Sequence, residues 1–286
     1  MRYAYFPGCS LKSTGRAYAE SLERVFADLA LELVELKEWD CCGATTVLAV
    51  DEVASCILAA RNLALAAREG LDVVAPCASC YLVLKKAKDH MAIKPDLRDA
   101  VERALKIVHL EYRDNVKVRH PLEVLLNDAG EATIKQHAMR PLAGLKVAPY
   151  YGCQLVRPHA DFDNADEPTS MDRLLKACGA TIVPFASKTR CCGATQTSAM
   201  PELCGDLIQV IVEDARRQKA DIIATACPLC QLNVELYQPR TVQPIPIVYF
   251  TQLMGWAFGA TEREVGLHRS LLSAADALMH CEARHA

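Results

Sequence analysis

The sequence predicts two similar small α/β domains, each with a mainly parallel sheet flanked by helices, related by internal duplication. Three observations carry this expectation. One ordered set of five cysteines occurs twice along the chain. The same strand, helix, strand, helix, strand pattern surrounds each set. The cysteines fall where strands end and helices or turns begin, and in parallel sheets ligands gather beyond the carboxyl ends of the strands. Each set of five thiols is therefore expected at one end of its own domain.

The repeat is explicit. The first half carries Cys9, then Cys41-Cys42-Gly43-Ala44-Thr45, then Pro76-Cys77-Ala78-Ser79-Cys80. The second half carries Cys153, then Cys191-Cys192-Gly193-Ala194-Thr195, then Ala226-Cys227-Pro228-Leu229-Cys230. Thirty-four residues separate the adjacent pair from the C-x-x-C in both halves. The gap from the first cysteine to the pair is 31 residues in one half and 37 in the other. An identical pentapeptide and one identical long spacing mark a duplicated gene.

The elements follow in order. Apolar runs at 2–6 and 145–151 predict the first strands, and each leads into Gly-Cys. Tyr18, Leu22, Val25, Phe26 and Leu29 recur at helical spacing and predict a helix over 14–31. Its counterpart spans 169–178, with Met171, Leu174 and Leu175 on the apolar side. Short strands at 32–36 and 181–185 lead into the Cys-Cys-Gly turns. Long helices are predicted over 46–69 and 198–219, and buried strands at 72–75 and 221–225 deliver the C-x-x-C motifs. The intervening 94–139 reads as helical and charged, with a helix starting at Pro121, since proline suits a first turn. The division falls near Arg140, giving a first domain over 1–139 with its helical connection and a second over 140–286. Residues 266–286 read as one closing amphipathic helix.

Composition narrows the function. A chain of 286 residues can bury two ordinary cores. With 32 basic against 35 acidic residues and no basic stripe, nucleic acid is not an expected partner. The N-terminus lacks a leader-like apolar run, and the apolar stretch 245–258 is too short and too polar to span a bilayer. A cytoplasmic protein without a membrane span is expected. Fourteen cysteines in a reducing compartment point to metal or redox chemistry and away from a disulfide framework.

A C-x-x-C pair brings two sulfurs within reach of one metal site. Adjacent cysteines diverge on regular backbone, so two of them serving one site imply a sharp turn or a multinuclear target. Gly43 and Gly193 would supply the permissive backbone and let the chain pass close to inorganic sulfide. Structural zinc closes with four ligands, and five thiolates overshoot that number, which favours a cluster of several irons. Two other readings stand beside it. One is a tetrathiolate zinc site with a spare cysteine per domain. The other is a thioredoxin-type dithiol, which leaves six of the ordered cysteines unexplained. Cys56, Cys178, Cys204 and Cys281 have no matching partners and read as small buried apolar residues.

The paired pattern resembles the duplicated cysteine-rich CCG domain. Over nearly its full length the chain resembles the B-type subunit of heterodisulfide reductase and its bacterial homologues, including the sulfur-oxidising heterodisulfide-reductase-like branch. The likeness extends to Tyr5-Phe6-Pro7-Gly8-Cys9 and Tyr150-Tyr151-Gly152-Cys153. It implies two noncubane 4Fe–4S clusters as cofactors. One would be held by Cys9, Cys41, Cys42, Cys77 and Cys80, the other by Cys153, Cys191, Cys192, Cys227 and Cys230. The resemblance further implies that the clusters face one another across a cavity taking a thiol or disulfide substrate. It implies a catalytic iron–sulfur subunit within a heterodisulfide-reductase-like complex. Its partners there would be a C-type subunit with cubane 4Fe–4S clusters and a flavin-containing A-type subunit. No ferredoxin spacing, dinucleotide fingerprint or phosphate loop lets this chain take electrons from a nicotinamide by itself.

One position departs from the methanogenic pattern. Those members usually carry a histidine after the cysteine equivalent to Cys153, and this chain has Gln154. An amide hydrogen-bonds where an imidazole can also donate a titrating proton. The coenzyme B–coenzyme M disulfide is therefore not assigned, and thiol or protein-bound sulfur oxidation is an equal expectation. The competing class is a non-catalytic electron-transfer subunit, like the CCG proteins of lactate or glycolate oxidation. His109, His120, His137 and His159 read as ordinary surface residues, and Arg157 as a structural one that could also meet an anion. Lys188, Arg190 and Lys37 are candidates to offset negative charge at the sulfurs.

Overall fold

The structure, a computed structural model, describes residues 1–238 and 243–282, with side chains through 279. Each half is a four-stranded, all-parallel sheet. The first comprises β1 (Arg2–Tyr5), β2 (Glu32–Glu35), β3 (Val73–Val74) and β4 (Val118–Arg119), in the order β2-β1-β3-β4. The second comprises β5 (Lys146–Tyr150), β6 (Thr181–Ile182), β7 (Ile222–Thr225) and β8 (Ile247–Tyr249), in the order β6-β5-β7-β8. The duplication therefore extends to topology. In both sheets the chain leaves the first strand to one side and returns on the other. A crevice opens between β1 and β3, and between β5 and β7, beyond their carboxyl ends.

The fourth strand of each sheet was not expected. β4 is two residues within a charged segment, and β8 lies in an unbroken apolar run with no alternation to reveal it. Both are edge strands held by parallel pairing, Val74 to Arg119 and Ala224 to Val248 among others.

The long helices also differ from expectation. Residues 46–69 form two helices, Thr46–Val50 and Glu52–Glu69. Asp51 between them is extended, and its carboxylate accepts the Ala54 N–H at 3.0 Å as an N-cap. The helix predicted from 198 begins at Pro201 and runs to Arg217, because proline restricts the residue before it to non-helical backbone. Residues 266–282 are not one helix. A 3-10 turn, Leu267–Arg269, precedes a helix at Ala275–Glu282. Between them the Glu235 carboxylate accepts the amides of Leu271 and Leu272, at 2.9 and 3.1 Å, and pulls that backbone out of a helical path. The last four residues of the predicted helix, 283–286, lie outside the described residues.

The halves pack through two similar aromatic contacts. The helix Arg16–Asp28 lies against the helix Phe250–Ala257 of the other half. There Tyr18 stacks on Tyr249, with ring centroids 4.5 Å apart and planes 7° apart. Ser21 and Thr251 share a buried hydroxyl contact of 2.6 Å. On the other side Phe162 stacks parallel to His120, at 6.2 Å and 1°. Tyr18 stands nine residues after Cys9, and Phe162 nine after Cys153. His120 directly follows β4, and by register it occupies the place that Tyr249 holds at the end of β8. Each half thus lends one ring to cover the fourth strand of the other. Two further contacts tie the 153–169 segment to the first half's helix Ala78–Ile93: Lys85 pairs with Asp161, and Asp89 with His159.

Candidate functional site

The ten repeated cysteines occupy the expected strand ends. Cys9 and Cys153 lie just beyond β1 and β5, and Cys77 and Cys227 just beyond β3 and β7. Cys77 and Cys227 are the N-caps of the helices Ala78–Ile93 and Pro228–Leu236, so their sulfurs sit where a helix favours negative charge. Burial repeats between the halves. Cys42, Cys77, Cys80, Cys192, Cys227 and Cys230 are buried, Cys9, Cys41 and Cys191 are exposed, and Cys153 is intermediate.

Glycine makes this convergence possible. Gly8 and Gly152, each preceding the first cysteine of its set, have φ of +65° and +71°. A Cβ there would lie 3.1 Å from Cys80 Sγ and 2.9 Å from Cys230 Sγ respectively. The Cys-Cys-Gly turn closes on itself, since the amides of Gly43 and Gly193 donate to the sulfurs of Cys41 and Cys191 at 3.4 and 3.3 Å. Both glycines have φ near +80°. Their close neighbours belong to the following helix: a Cβ would meet Ser55 Cα at 2.9 Å in one half and Cys204 Sγ at 2.8 Å in the other. The need for glycine in the turn thus arises from packing on that helix.

Cys204 is the counterpart of Ser55. Ser55 Oγ donates to the Gly43 carbonyl at 2.9 Å, and Cys204 Sγ donates to the Gly193 carbonyl at 3.2 Å. Cys56 and Cys178 are buried away from the sets, and burial pushes their thiols up to about 11 and about 12. That is the behaviour of inert core thiols. Cys281 lies outside the described side chains.

The sulfurs form linked contacts. The thiols of Cys41 and Cys80 neighbour Cys42, and donation from them holds it down to about 4. Donation from Cys153 holds Cys191 down to about 6, and Cys192 lies 3.6 Å from Cys230. Cys80 and Cys230, enclosed by neighbouring sulfurs, are pushed up. The two sets approach each other: the free thiols of Cys77 and Cys227 act on one another across the junction of the halves. Ser79 of the first C-x-x-C donates to the side-chain oxygen of Gln154, adding a second link at the same place.

All five second-half thiols line one open cavity, with Gln154, Thr195 and Leu229 beside them. No carboxylate or imidazole lines it. Among the described residues, no three His, Cys, Asp or Glu side chains converge on a point suited to a single ion. A sulfur-only donor set spread around a cavity suits a multinuclear iron–sulfur group.

Other candidates resolve differently. Lys188 is buried, and its ammonium is engaged by the Asp172 carboxylate at 2.5 Å and the Pro168 carbonyl at 3.0 Å, so it is not free to offset charge at the sulfurs. Arg190 and Lys37 are exposed. Arg157 donates to the Thr189 carbonyl at 2.6 Å and holds its own loop. His120 is not a surface residue but fully buried. Its Nδ1 accepts the Leu122 N–H, so Nε2 carries the proton and donates at 3.0 Å to the carbonyl of Pro76, directly before Cys77. Desolvation lowers it to about 4. His159 is partly buried against Asp89, while His109 is exposed and His137 partly so. Ser55, Ser79 and the Tyr18–Tyr249 pair were not foreseen from the sequence. The nine-residue offset shared by Tyr18 and Phe162 was the one signal available for any of them.

Comparison with known proteins agrees with this geometry. The family described as CCG, cysteine-rich domain, matches residues 3–85 and again 147–235. The chain is 33% identical over 285 residues to the 8-methylmenaquinol:fumarate reductase membrane anchor subunit of Wolinella succinogenes, covering 95% of this chain and 97% of that one. It is 28% identical over 283 residues to the B-type subunit of the ferredoxin/F(420)H(2)-dependent CoB-CoM heterodisulfide reductase of Methanosarcina acetivorans, covering 95% and 94%. A protein of Archaeoglobus profundus, named as similar to the B-type subunit of heterodisulfide reductase, is 28% identical, covering 93% of each. Among solved structures, a hypothetical protein from Helicobacter pylori superposes with a TM-score of 0.74 at 14% identity. The match covers 95% of this chain and about half (52%) of that one, and it shows a shared fold.

Proposed function

The chain belongs to the CCG cysteine-rich-domain family that includes the B-type subunit of heterodisulfide reductase, and from that premise we propose an iron–sulfur subunit of a heterodisulfide-reductase-like complex. The observation that supports this is the meeting of two equivalently built thiol sets at Cys77 and Cys227. Cys9, Cys41, Cys42, Cys77 and Cys80 would hold one noncubane 4Fe–4S cluster. Cys153, Cys191, Cys192, Cys227 and Cys230 would hold the other. Bound there, the two groups supply one-electron centres on either side of the junction. Reduction of a disulfide takes two electrons and two protons and releases two thiols; oxidation is the reverse. Gln154, fixed by Ser79, would orient a sulfur substrate by hydrogen bonding and leaves proton supply to other groups. Electrons would come from or go to partner subunits.

One observation favours a second reading. The relative at 33% identity is named as a subunit of a fumarate reductase, so the junction could serve electron transfer alone. Among the described residues no helix is long and apolar enough to cross a membrane. The two readings separate on the EPR spectrum of the oxidised, anaerobically prepared protein. Added thiols perturb it if the junction takes sulfur substrates, and an unchanged spectrum with every thiol tried supports electron transfer.

Metal content tests both readings together. About eight irons per chain are expected for two full clusters, and a colourless, zinc-only anaerobic preparation would sink the assignment. Cys42→Ser or Cys192→Ser should lose about half of the iron, while Cys56→Ser should keep all of it. Equal iron in all three would remove the duplicated motif as the ligand set.

A further inference from the structure

The duplicated frame is asymmetric at one place. Tyr18 and Phe162 each stand nine residues after the first cysteine of their set and stack on the residue that ends or follows the other half's fourth strand, Tyr18 from a helix and Phe162 from an irregular segment. Phe162 carries no polar group. Tyr18 carries a hydroxyl that is fully buried and has no hydrogen-bond partner. A buried hydroxyl without a partner is destabilising, and a group bound at the junction could supply that partner.

The surroundings indicate which one. Tyr18 lies within electrostatic range of Cys227 and Cys77, the two sulfurs that join the sets. Gly15, three residues before it, packs so closely on Pro228 that a Cβ there would lie 3.0 Å from the proline Cβ, which brings this helix against the second C-x-x-C. Tyr249, the ring beneath it, is already bonded through its own hydroxyl to Gln231 at 3.4 Å. Tyr5 and Tyr81 also have unpartnered buried hydroxyls, but the charges acting on them are those of Glu23 and Glu35 and of Glu123 respectively. Of these tyrosines, only Tyr18 combines a free hydroxyl with proximity to both thiol sets.

We propose that the Tyr18 hydroxyl donates a hydrogen bond to a sulfur of an iron–sulfur group held at the Cys77–Cys227 junction, and so makes the two redox centres inequivalent. This rests on the cluster reading above. Donation to sulfur stabilises the reduced, more negative state and raises the reduction potential. The corresponding ring in the other half, Phe162, gives no such help. Tyr18 is thus a positioning and tuning residue in a site whose ligands are otherwise duplicated.

Tyr18→Phe is the direct test, since phenylalanine already supplies the corresponding ring in the other half. Iron content and the EPR-monitored redox titration are measured anaerobically on the full chain, with Tyr5→Phe as control. Full iron is expected in both variants, with one of the two midpoint potentials shifted downward in Tyr18→Phe and neither shifted in Tyr5→Phe. Unchanged potentials in an iron-loaded Tyr18→Phe overturn the proposal, as does an equal shift in Tyr5→Phe. Should Tyr18→Phe fail to load iron, proton ENDOR on the unsubstituted chain decides. A proton coupled to the cluster that exchanges in protein prepared in D2O is expected, and its absence overturns the proposal. Lack of iron in the unsubstituted chain is a different failure, that of the cluster reading itself.

Discussion

A methyl group on Gly152 would sit 2.9 Å from Cys230 Sγ, in a backbone conformation that L-residues avoid. Gly152→Ala should therefore cost about 1–2 kcal/mol for the left-handed backbone and also push aside a thiol of the second set. Iron measured after anaerobic reconstitution should fall by about half, with the first set still loaded. Undiminished iron would show that the thiols tolerate the displacement. His120 offers a test through pH. Its folded pKa, lowered by burial to about 4, lies below the ordinary 6.5, so the unfolded chain binds the extra proton between those values. Its contribution is full above pH 6.5 and is lost as pH falls toward 4. Between pH 7 and pH 5 the loss should be on the order of 2 kcal/mol. His120→Gln keeps a donor for the Pro76 carbonyl and cannot titrate, so denaturation midpoints at the two pH values should converge. An unchanged slope would assign the pH dependence to other groups.

The Cys-Cys-Gly turn is built by an element beyond the motif itself. The helix after each turn anchors the glycine carbonyl, through Ser55 in one half and Cys204 in the other. Cys204→Ser should thus retain all the iron and near-native stability, whereas Cys204→Ala leaves that carbonyl without its partner and should cost about 1 kcal/mol. Chemical denaturation with iron analysis checks both, and iron loss from Cys204→Ser would make Cys204 a ligand. The sequence placed Cys204 correctly among buried residues but could not pair it with Ser55. Helical periodicity located the helices Arg16–Asp28 and Ser170–Ala177 to within a few residues, but it gave no sign of those that follow the C-x-x-C motifs. It could not register the interruption at Asp51, where a local carboxylate-to-amide bond ends one helix and starts the next.

At the scale of the molecule, each half covers the other's fourth strand with a ring. Phe162→Ala removes one of these covers. Phe162 is only partly buried, so the loss should be about 2 kcal/mol, below the 3–5 typical of a fully buried ring. Thermal or chemical unfolding would measure it, and a change under about 0.5 kcal/mol would show that the 153–169 segment is held by its polar contacts to Lys85 and Asp89.

The sequence by itself determined the duplication, the α/β class and the ten thiols, because cysteine identity and spacing are one-dimensional facts and apolar periodicity reports local structure. It could not reveal β4 and β8, whose residues carry no alternation, nor the burial of His120 within a charged segment. Only the tertiary structure decided that the two sets meet at Cys77 and Cys227, that Lys188 is engaged by Asp172, and that Tyr18 stands beside the junction with a free hydroxyl. Those facts depend on contacts between residues more than a hundred positions apart, or on the competition of one charge for several partners, and no local pattern encodes either.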